Sequence, residues 1–104
     1  MKEYEHPPVE ELNLTKVMQA LVDPCRQQIV HTLLEKRHIQ LACCEFGLTV
    51  SKATASHHFE ILLKAGLIQK KLEGTKSLIS LREADIEARF PGLLKLIETE
   101  ISAE

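Results

Sequence analysis

The chain has 104 residues, of which 44% are apolar and 27% are charged, a composition typical of one soluble globular domain. No apolar run approaches the roughly 18 residues that a membrane span needs, and the first residues lack the basic and apolar stretches of a signal peptide. We therefore expect a cytoplasmic protein with no membrane contact. Because a monomer of this size buries only about two-thirds of the surface that its unfolded chain exposes, pairing with a second copy would add stability.

The net charge of −2 conceals a basic middle segment. The charge balance is −2 over residues 1–49, +4 over residues 50–82 and −4 over residues 83–104. Such asymmetry indicates a surface that faces a polyanion. An ordinary solvated face is the alternative, and charge alone does not decide between the two.

The first third of the chain predicts an arm followed by two helices. Residues 1–8 are polar and end in two prolines, so we expect a flexible arm ahead of a single domain over residues 9–104. Apolar spacing over residues 9–22 predicts the first helix, with the firmest part from Leu14 onward. Asp23 suits the N-cap of a second helix, predicted over residues 24–36, with proline at its first position.

The middle third predicts a short buried helix and then a helix with one polar face. Residues 39–48 are apolar enough for a short helix that ends at Gly47. Ser51 is a suitable N-cap for a helix over residues 52–65, and Gly66 occupies the position where a left-handed residue would end it. The side chains on the polar face of this helix are Lys52, Thr54, Ser56, His57 and Glu60.

The last third predicts a hairpin and a broken helix. Two short aliphatic runs, residues 67–72 and 77–81, flank a turn at residues 73–76, which indicates a β-hairpin. Helical spacing follows over residues 83–101, interrupted at residues 90–92. Tandem helices followed by a hairpin form a winged helix-turn-helix, a mainly α fold with a small β-hairpin. In that fold the polar-faced helix fits the DNA major groove and the hairpin tip reaches the neighbouring backbone.

Three motifs resemble one protein family. Residues 50–68 resemble the recognition-helix signature of the ArsR/SmtB family of bacterial winged-helix repressors, and residues 73–76 fall where that family has its wing. Residues 20–26 match the family's Ala-Leu-x-Asp-Pro-x-Arg motif. The resemblance implies a homodimeric repressor, not an enzyme, that leaves double-stranded operator DNA when an inducer is sensed. It also implies that the dimer pairs through the first and last helices, here residues 14–22 and 91–101.

Seven residues are predicted to contact DNA. Short hydroxyl side chains on the polar-faced helix can bond a base edge or a phosphate, and a lysine near the helix amino end joins backbone N–H groups that favour phosphate. The seven are Lys52, Thr54, Ser56 and His57 on the helix and Lys70, Lys71 and Lys76 around the wing. Glu60 and Leu63 stand where many relatives have basic residues, which lowers the expected nonspecific affinity. The alternative is that these polar residues only make an exposed helix soluble.

The adjacent histidines His57 and His58 are not predicted to share a metal ion, because neighbouring side chains on a helix diverge by about 100°. We expect His58 to pack against the first helices. Cys25 lies in the first turn of the second helix, where the helix amino terminus lowers a thiol pKa, and a small buried hydrophobe is the alternative role.

Cys43 and Cys44 are the candidate sensor. With Cys25 they make an odd count, which argues against a structural disulfide framework. Adjacent cysteines can form a strained, labile disulfide after peroxide converts one thiolate to sulfenic acid. The strained disulfide would bend the short helix that carries it and so tilt the DNA-reading helix that follows. We therefore predict a redox-sensing repressor with no resident cofactor.

Four alternatives to the redox hypothesis stay open. A thiophilic inducer such as As(III) could bind Cys43, Cys44 and Cys25, because thiolates prefer soft ions. The cysteines could also be inert and buried. The winged helix could bind a protein without DNA. A thiol enzyme is the weakest rival, since the sequence has no Cys-x-x-Cys motif.

Overall fold

A computed structural model describes residues 6–36 and 40–101, without the side chains of Cys43 and Cys44. In these ranges short 3₁₀ helices lie at Val9–Glu11 and Cys43–Phe46. The α-helices and strands are, in chain order, α1 Leu14–Ala20, α2 Pro24–Glu35, β1 Leu41–Ala42, α3 Lys52–Ala65, β2 Ile68–Glu73, β3 Lys76–Leu81, α4 Glu83–Arg89 and α5 Leu93–Glu100. This order is that of a winged helix-turn-helix, so the predicted fold class is confirmed.

The helix boundaries follow from local capping signals. Asn13 caps α1 by accepting a hydrogen bond from the Lys16 N–H at 3.0 Å, so the α-helix begins at Leu14, where the prediction placed its firmest part. Asp23 caps α2, and the proline at position 24 is its first residue, as predicted. The third helix spans the predicted residues, from its cap at Ser51 to the left-handed Gly66.

The segment between α2 and α3 differs from the predicted short helix. Within the described part of this segment, residues 40–51, residues 41–42 form a strand and Cys43–Phe46 form a 3₁₀ turn that ends at the left-handed Gly47 with φ 66°. The reason is a long-range pairing, because Leu41 lies opposite Ile79 and both side chains enter the core. Periodicity within the segment carries no signal for this partner.

The three strands form one antiparallel sheet in the order β1-β3-β2. The β2–β3 hairpin is the wing, with Glu73 paired to Lys76 beside the turn. The hydrophobic core lies between this sheet and the five helices α1 to α5. Phe46 and Phe59 meet edge to face in the core, with ring centroids 5.2 Å apart, and so join the 3₁₀ turn to α3.

Residues ahead of α1 pack against the wing and α4. The His6 Nε2 atom accepts a hydrogen bond from the Lys70 N–H at 3.1 Å, and buried Arg82 donates to the Pro7 carbonyl at 2.8 Å. Arg89 donates to the Leu12 carbonyl. Residues 1–5 of the predicted arm lie outside the described residues, whereas residues 6 and 7 are bonded to the domain.

The described helices are also informative about membranes. Within residues 6–36 and 40–101, each helix is too short or too polar to cross a lipid bilayer.

Candidate nucleic-acid interface

Helix α3 is held by one face and leaves the other open. Its buried residues are His58, Phe59, Leu62, Leu63 and Ala65. At its amino end the Ser51 Oγ atom accepts a hydrogen bond from the Thr54 N–H at 3.1 Å. At its carboxyl end Gly66 has φ 86°, a conformation that favours glycine. A Cβ atom at Gly66 would overlap the Leu12 side chain, so the end of α3 is fixed by a close contact as well as by the turn.

The four predicted helix contacts are all in solvent near the amino end of α3. Lys52, Thr54, Ser56 and His57 are all exposed and occupy the first two turns of α3. The Thr54 Oγ1 atom accepts a hydrogen bond from the Ser51 Oγ atom at 3.0 Å, which leaves the threonine hydroxyl proton free to be donated outward. The amino-terminal half of the helix therefore presents one positive charge and several hydrogen-bonding groups to solvent.

The carboxyl-terminal half of the open face is locally neutral. Lys64 Nζ lies 3.5 Å from a Glu60 carboxylate oxygen, and both side chains are mostly exposed. This pair is of the i, i+4 kind that is worth a few tenths of a kcal/mol. Attraction for a polyanion is thus concentrated in the first two turns of α3.

The wing separates two lysines that are adjacent in the sequence. Lys70 is paired with the buried Ile79 and lies half-buried on the core face of the sheet. Lys71 is exposed on the opposite face, as strand alternation requires. Lys76 is exposed beside the turn, on the same face as Lys71, and pairs with Glu73. The geometry brings Lys71 and Lys76 together at the surface and places Lys70 apart from them.

An arginine that the sequence analysis did not single out anchors α3. Arg26 donates from Nε to the Ala20 carbonyl at 2.7 Å and from Nη2 to the Gln19 carbonyl at 3.4 Å. Its Nη1 atom lies 3.1 Å from His58 Nδ1. Because a guanidinium only donates, Nδ1 accepts and the imidazole proton is on Nε2, 4.0 Å from the Asp23 Oδ1 atom. The carboxyl end of α1, the first turn of α2 and α3 are therefore linked through one side chain.

His58 is 8% exposed, so the prediction that it packs against the first helices is confirmed. The Asp-Pro-x-Arg motif was the available signal for the Arg26 contact. The partner of Arg26 lies on another helix, which local sequence patterns do not identify.

The first turn of α2 has opposite effects on two pKa values. Partial desolvation raises the pKa of Asp23, but hydrogen bonds from the Arg26 and Cys25 N–H groups, together with nearby His58 and Arg26, outweigh it and lower that pKa overall. Burial and then the Asp23 carboxylate raise the pKa of the Cys25 thiol, against the opposing effect of Arg26. The predicted lowering of the Cys25 pKa by the helix terminus is therefore wrong, because burial and Asp23 dominate.

The backbone places Cys43 and Cys44 at the start of the 3₁₀ turn. Their side chains lie outside the described residues, and the predicted sulfur chemistry stays a prediction. The Ala42 N–H donates to the Glu45 carboxylate at 2.7 Å and closes the first turn around the pair. Cys25 is free and half-buried near Asp23 and His58.

Residues 23–70 match the family described as "Bacterial regulatory protein, arsR family". This range contains α2, the 3₁₀ turn, α3 and the start of the wing. The chain is also similar to the "Uncharacterized HTH-type transcriptional regulator YceK" of Bacillus subtilis (strain 168). The two are 33% identical over 84 residues, which cover 79% of this chain and 83% of that protein.

Proposed function

The chain belongs to the ArsR family of DNA-binding transcriptional regulators, and from this premise we propose that it is a homodimeric repressor released from its operator by oxidation of Cys43 and Cys44. The observation that carries the proposal is the open face of α3. Lys52, Thr54 and Ser56 are exposed in its first two turns, while the opposite face is locked into the core.

DNA contact would use α3 and the wing for different purposes. The first two turns of α3 have the size and the donors to enter a major groove, where Ser56 and His57 reach base edges. Lys71 and Lys76 on the exposed face of the wing would bind the neighbouring phosphates. The phosphate contacts orient the domain, and the helix contacts supply the sequence preference.

A dimer is supported by apolar side chains that the domain leaves in solvent. Leu14, Met18 and Val22 follow one another at intervals of four residues along α1 and its end, and they are 49%, 57% and 71% exposed. Leu96 on α5 is 57% exposed. Covering these side chains with a second copy would pair the two terminal helices. Two copies of α3 could then meet successive major grooves, roughly 34–36 Å apart.

The redox step would remove two electrons from the cysteine pair. Peroxide oxidises one thiolate to sulfenic acid and leaves as water, and the neighbouring thiol then displaces a second water to form the S–S bond. A ring between adjacent residues distorts the peptide bond inside it. Phe46, in the same turn, packs on Phe59 of α3, so distortion at Cys43 and Cys44 has a short packed route to the DNA-reading helix.

The experiment is a mobility-shift assay with a duplex selected from a random library by the reduced protein. Peroxide is expected to weaken binding of the wild type and of the control C25S, and reducing agent should restore it. C43S and C44S should bind normally and resist peroxide. Mass spectrometry should find a loss of two hydrogens in the peptide that contains both residues.

Other outcomes would each replace the proposal. If peroxide leaves the wild type bound, or weakens C43S and C44S as much as the wild type, the redox signal is wrong. Release by arsenite instead of peroxide would favour a metalloid site at Cys43, Cys44 and Cys25. Absence of salt-dependent binding to any duplex would favour a protein-interaction domain.

A further inference from the structure

A groove of about 420 Å³ opens between α1 and the carboxyl-terminal half of α3, beyond the two turns that carry the predicted DNA contacts. Its volume lies within the range of small-molecule sites. The lining side chains come from α1, from α3 and from the first turn of α2. We propose that this groove binds a small organic anion, namely a carboxylate on a short apolar body. The site does not depend on the redox release proposed above.

The floor of the groove is apolar, and it is open because two of its residues are alanines. Ala20 on α1 and Ala65 on α3 are 1% and 6% exposed, and their short side chains leave space above them. Ile61, half-buried one turn before Ala65, adds a larger apolar surface. An apolar ligand body placed on this floor leaves water. Each methylene that the floor covers should strengthen binding by up to about fourfold.

The charged side chains of the groove select the sign of the ligand. Among the described residues, every ionisable side chain in the lining is a cation: Lys16 on α1, Arg26 on α2 and Lys64 on α3. Glu60 lies outside the lining, and its ion pair with Lys64 at 3.5 Å joins two mostly exposed side chains. A pair of this kind contributes little stability, so Lys64 can turn to another anion. The groove therefore complements a negative charge and disfavours an amine.

Arg26 has hydrogen-bond donors available in the groove. A guanidinium carries five N–H donors, and described residues use three of them, through the Ala20 carbonyl, His58 Nδ1 and the Gln19 carbonyl. The bond to Gln19 is the longest of the three, at 3.4 Å, and is therefore the weakest. Two donors are left without a partner among the described residues. A carboxylate matches them because its two oxygens and the guanidinium fork are both planar.

The ligand must combine both features of the groove. Inorganic phosphate or sulfate would meet the cations but leave the apolar floor in water, whereas an alkylamine would cover the floor but meet three positive charges. An alkyl carboxylate satisfies the cations and the floor together. It would contact α1, α2 and α3 at once, so its binding to the folded chain should raise the melting temperature.

The test is an NMR titration of the full, reduced chain without DNA, using butanoate, hexanoate and octanoate as probes. We expect saturable shifts of the backbone amides of α1 and of residues 61–65, with affinity rising along the series. Hexylamine has a similar body with the opposite charge, and sulfate has charge without the body. Both should bind at least about tenfold more weakly than octanoate, as the loss of two covered methylenes alone would imply.

Charge variants test the ends of the groove. K16Q/K64Q should weaken octanoate binding at least about threefold, because each exposed ion pair is worth up to about fivefold in affinity. K95Q is the matched control, since Lys95 is exposed on α5 and does not line the groove. Circular dichroism and ligand-free melting should show that all these variants are folded, and octanoate should raise the melting temperature of K95Q more than that of K16Q/K64Q.

Four results would overturn the site. They are the absence of saturable shifts with octanoate, equal binding of hexylamine, equal binding of sulfate, and octanoate affinity unchanged in K16Q/K64Q. If duplex DNA rather than octanoate shifts residues 61–65, the groove belongs to the DNA interface instead. The peroxide response is measured on DNA binding without these probes, so either proposal can fail while the other stands.

Discussion

The salt dependence of DNA binding follows from the number of exposed interface lysines. Lys52, Lys71 and Lys76 are exposed on the DNA-facing elements, which makes six in the proposed dimer. If each neutralises one phosphate, the slope of log K against log salt is about −5, because each contact contributes about −0.9. A fourfold rise in salt should then weaken binding roughly a thousandfold.

Substitution of one wing lysine tests whether the wing contacts phosphate. K71Q removes two contacts per dimer, so the slope should become shallower by about 1.8. K95Q is the matched control, since Lys95 is exposed on α5 and away from α3 and the wing. Fluorescence anisotropy with one labelled duplex at four salt concentrations measures all three slopes. An unchanged slope for K71Q, or an equal change for K95Q, would refute the placement of the wing on phosphate.

Three further predictions concern the fold around the interface. G66A should lower the free energy of unfolding in urea by about 2–4 kcal/mol, because a left-handed alanine costs about 1–2 kcal/mol and its Cβ also overlaps Leu12. The control G47A has open space around its Cβ, so it should cost only the about 1–2 kcal/mol of the left-handed conformation. Desolvation and then Arg82 lower the pKa of His6. The contribution of His6 to the free energy of unfolding should therefore be complete above pH 6.5 and decline as the pH falls through the lowered pKa. In the same assay the stability of H6Q should depend less on pH between about pH 7.5 and pH 5. R26Q should lower the free energy of unfolding by about 2–4 kcal/mol, because it removes partly buried hydrogen bonds from a charged donor and leaves the Ala20 carbonyl without a donor. A stability equal to that of the wild type would contradict the anchoring role.

Helix α3 was predictable because the sequence signals that define it are local. Helix α3 begins after its N-cap Ser51 and ends before Gly66, and the spacing of Phe59 and Leu62 defines its buried face. The first strand was not predictable, because Leu41 owes its conformation to Ile79, which is distant in sequence. A two-residue strand leaves too short a pattern to recognise without its partner.

The candidate site shows the same division between local and distant information. The exposed hydroxyl and basic residues of α3 could be read from helical spacing. The separation of Lys70 from Lys71 could have been read from strand alternation, because Lys70 shares its face with the aliphatic Ile68 and Leu72. The pairing of Lys70 with the buried Ile79 shows the same face. The contact between Arg26 and His58 depends on how two helices cross, so the sequence gives its two residue types without their distance.

Two separate contacts join α3 to the 3₁₀ turn and to the first turn of α2. Phe59 is packed by Phe46 from the turn that carries Cys43 and Cys44, and His58 is held by Arg26 from the first turn of α2. Phe59 and His58 are neighbours, so a displacement at either contact moves the same turn of α3. Oxidation at the 3₁₀ turn and the substitution R26Q would therefore both act on DNA affinity through one helix, and their effects on that affinity should not be additive.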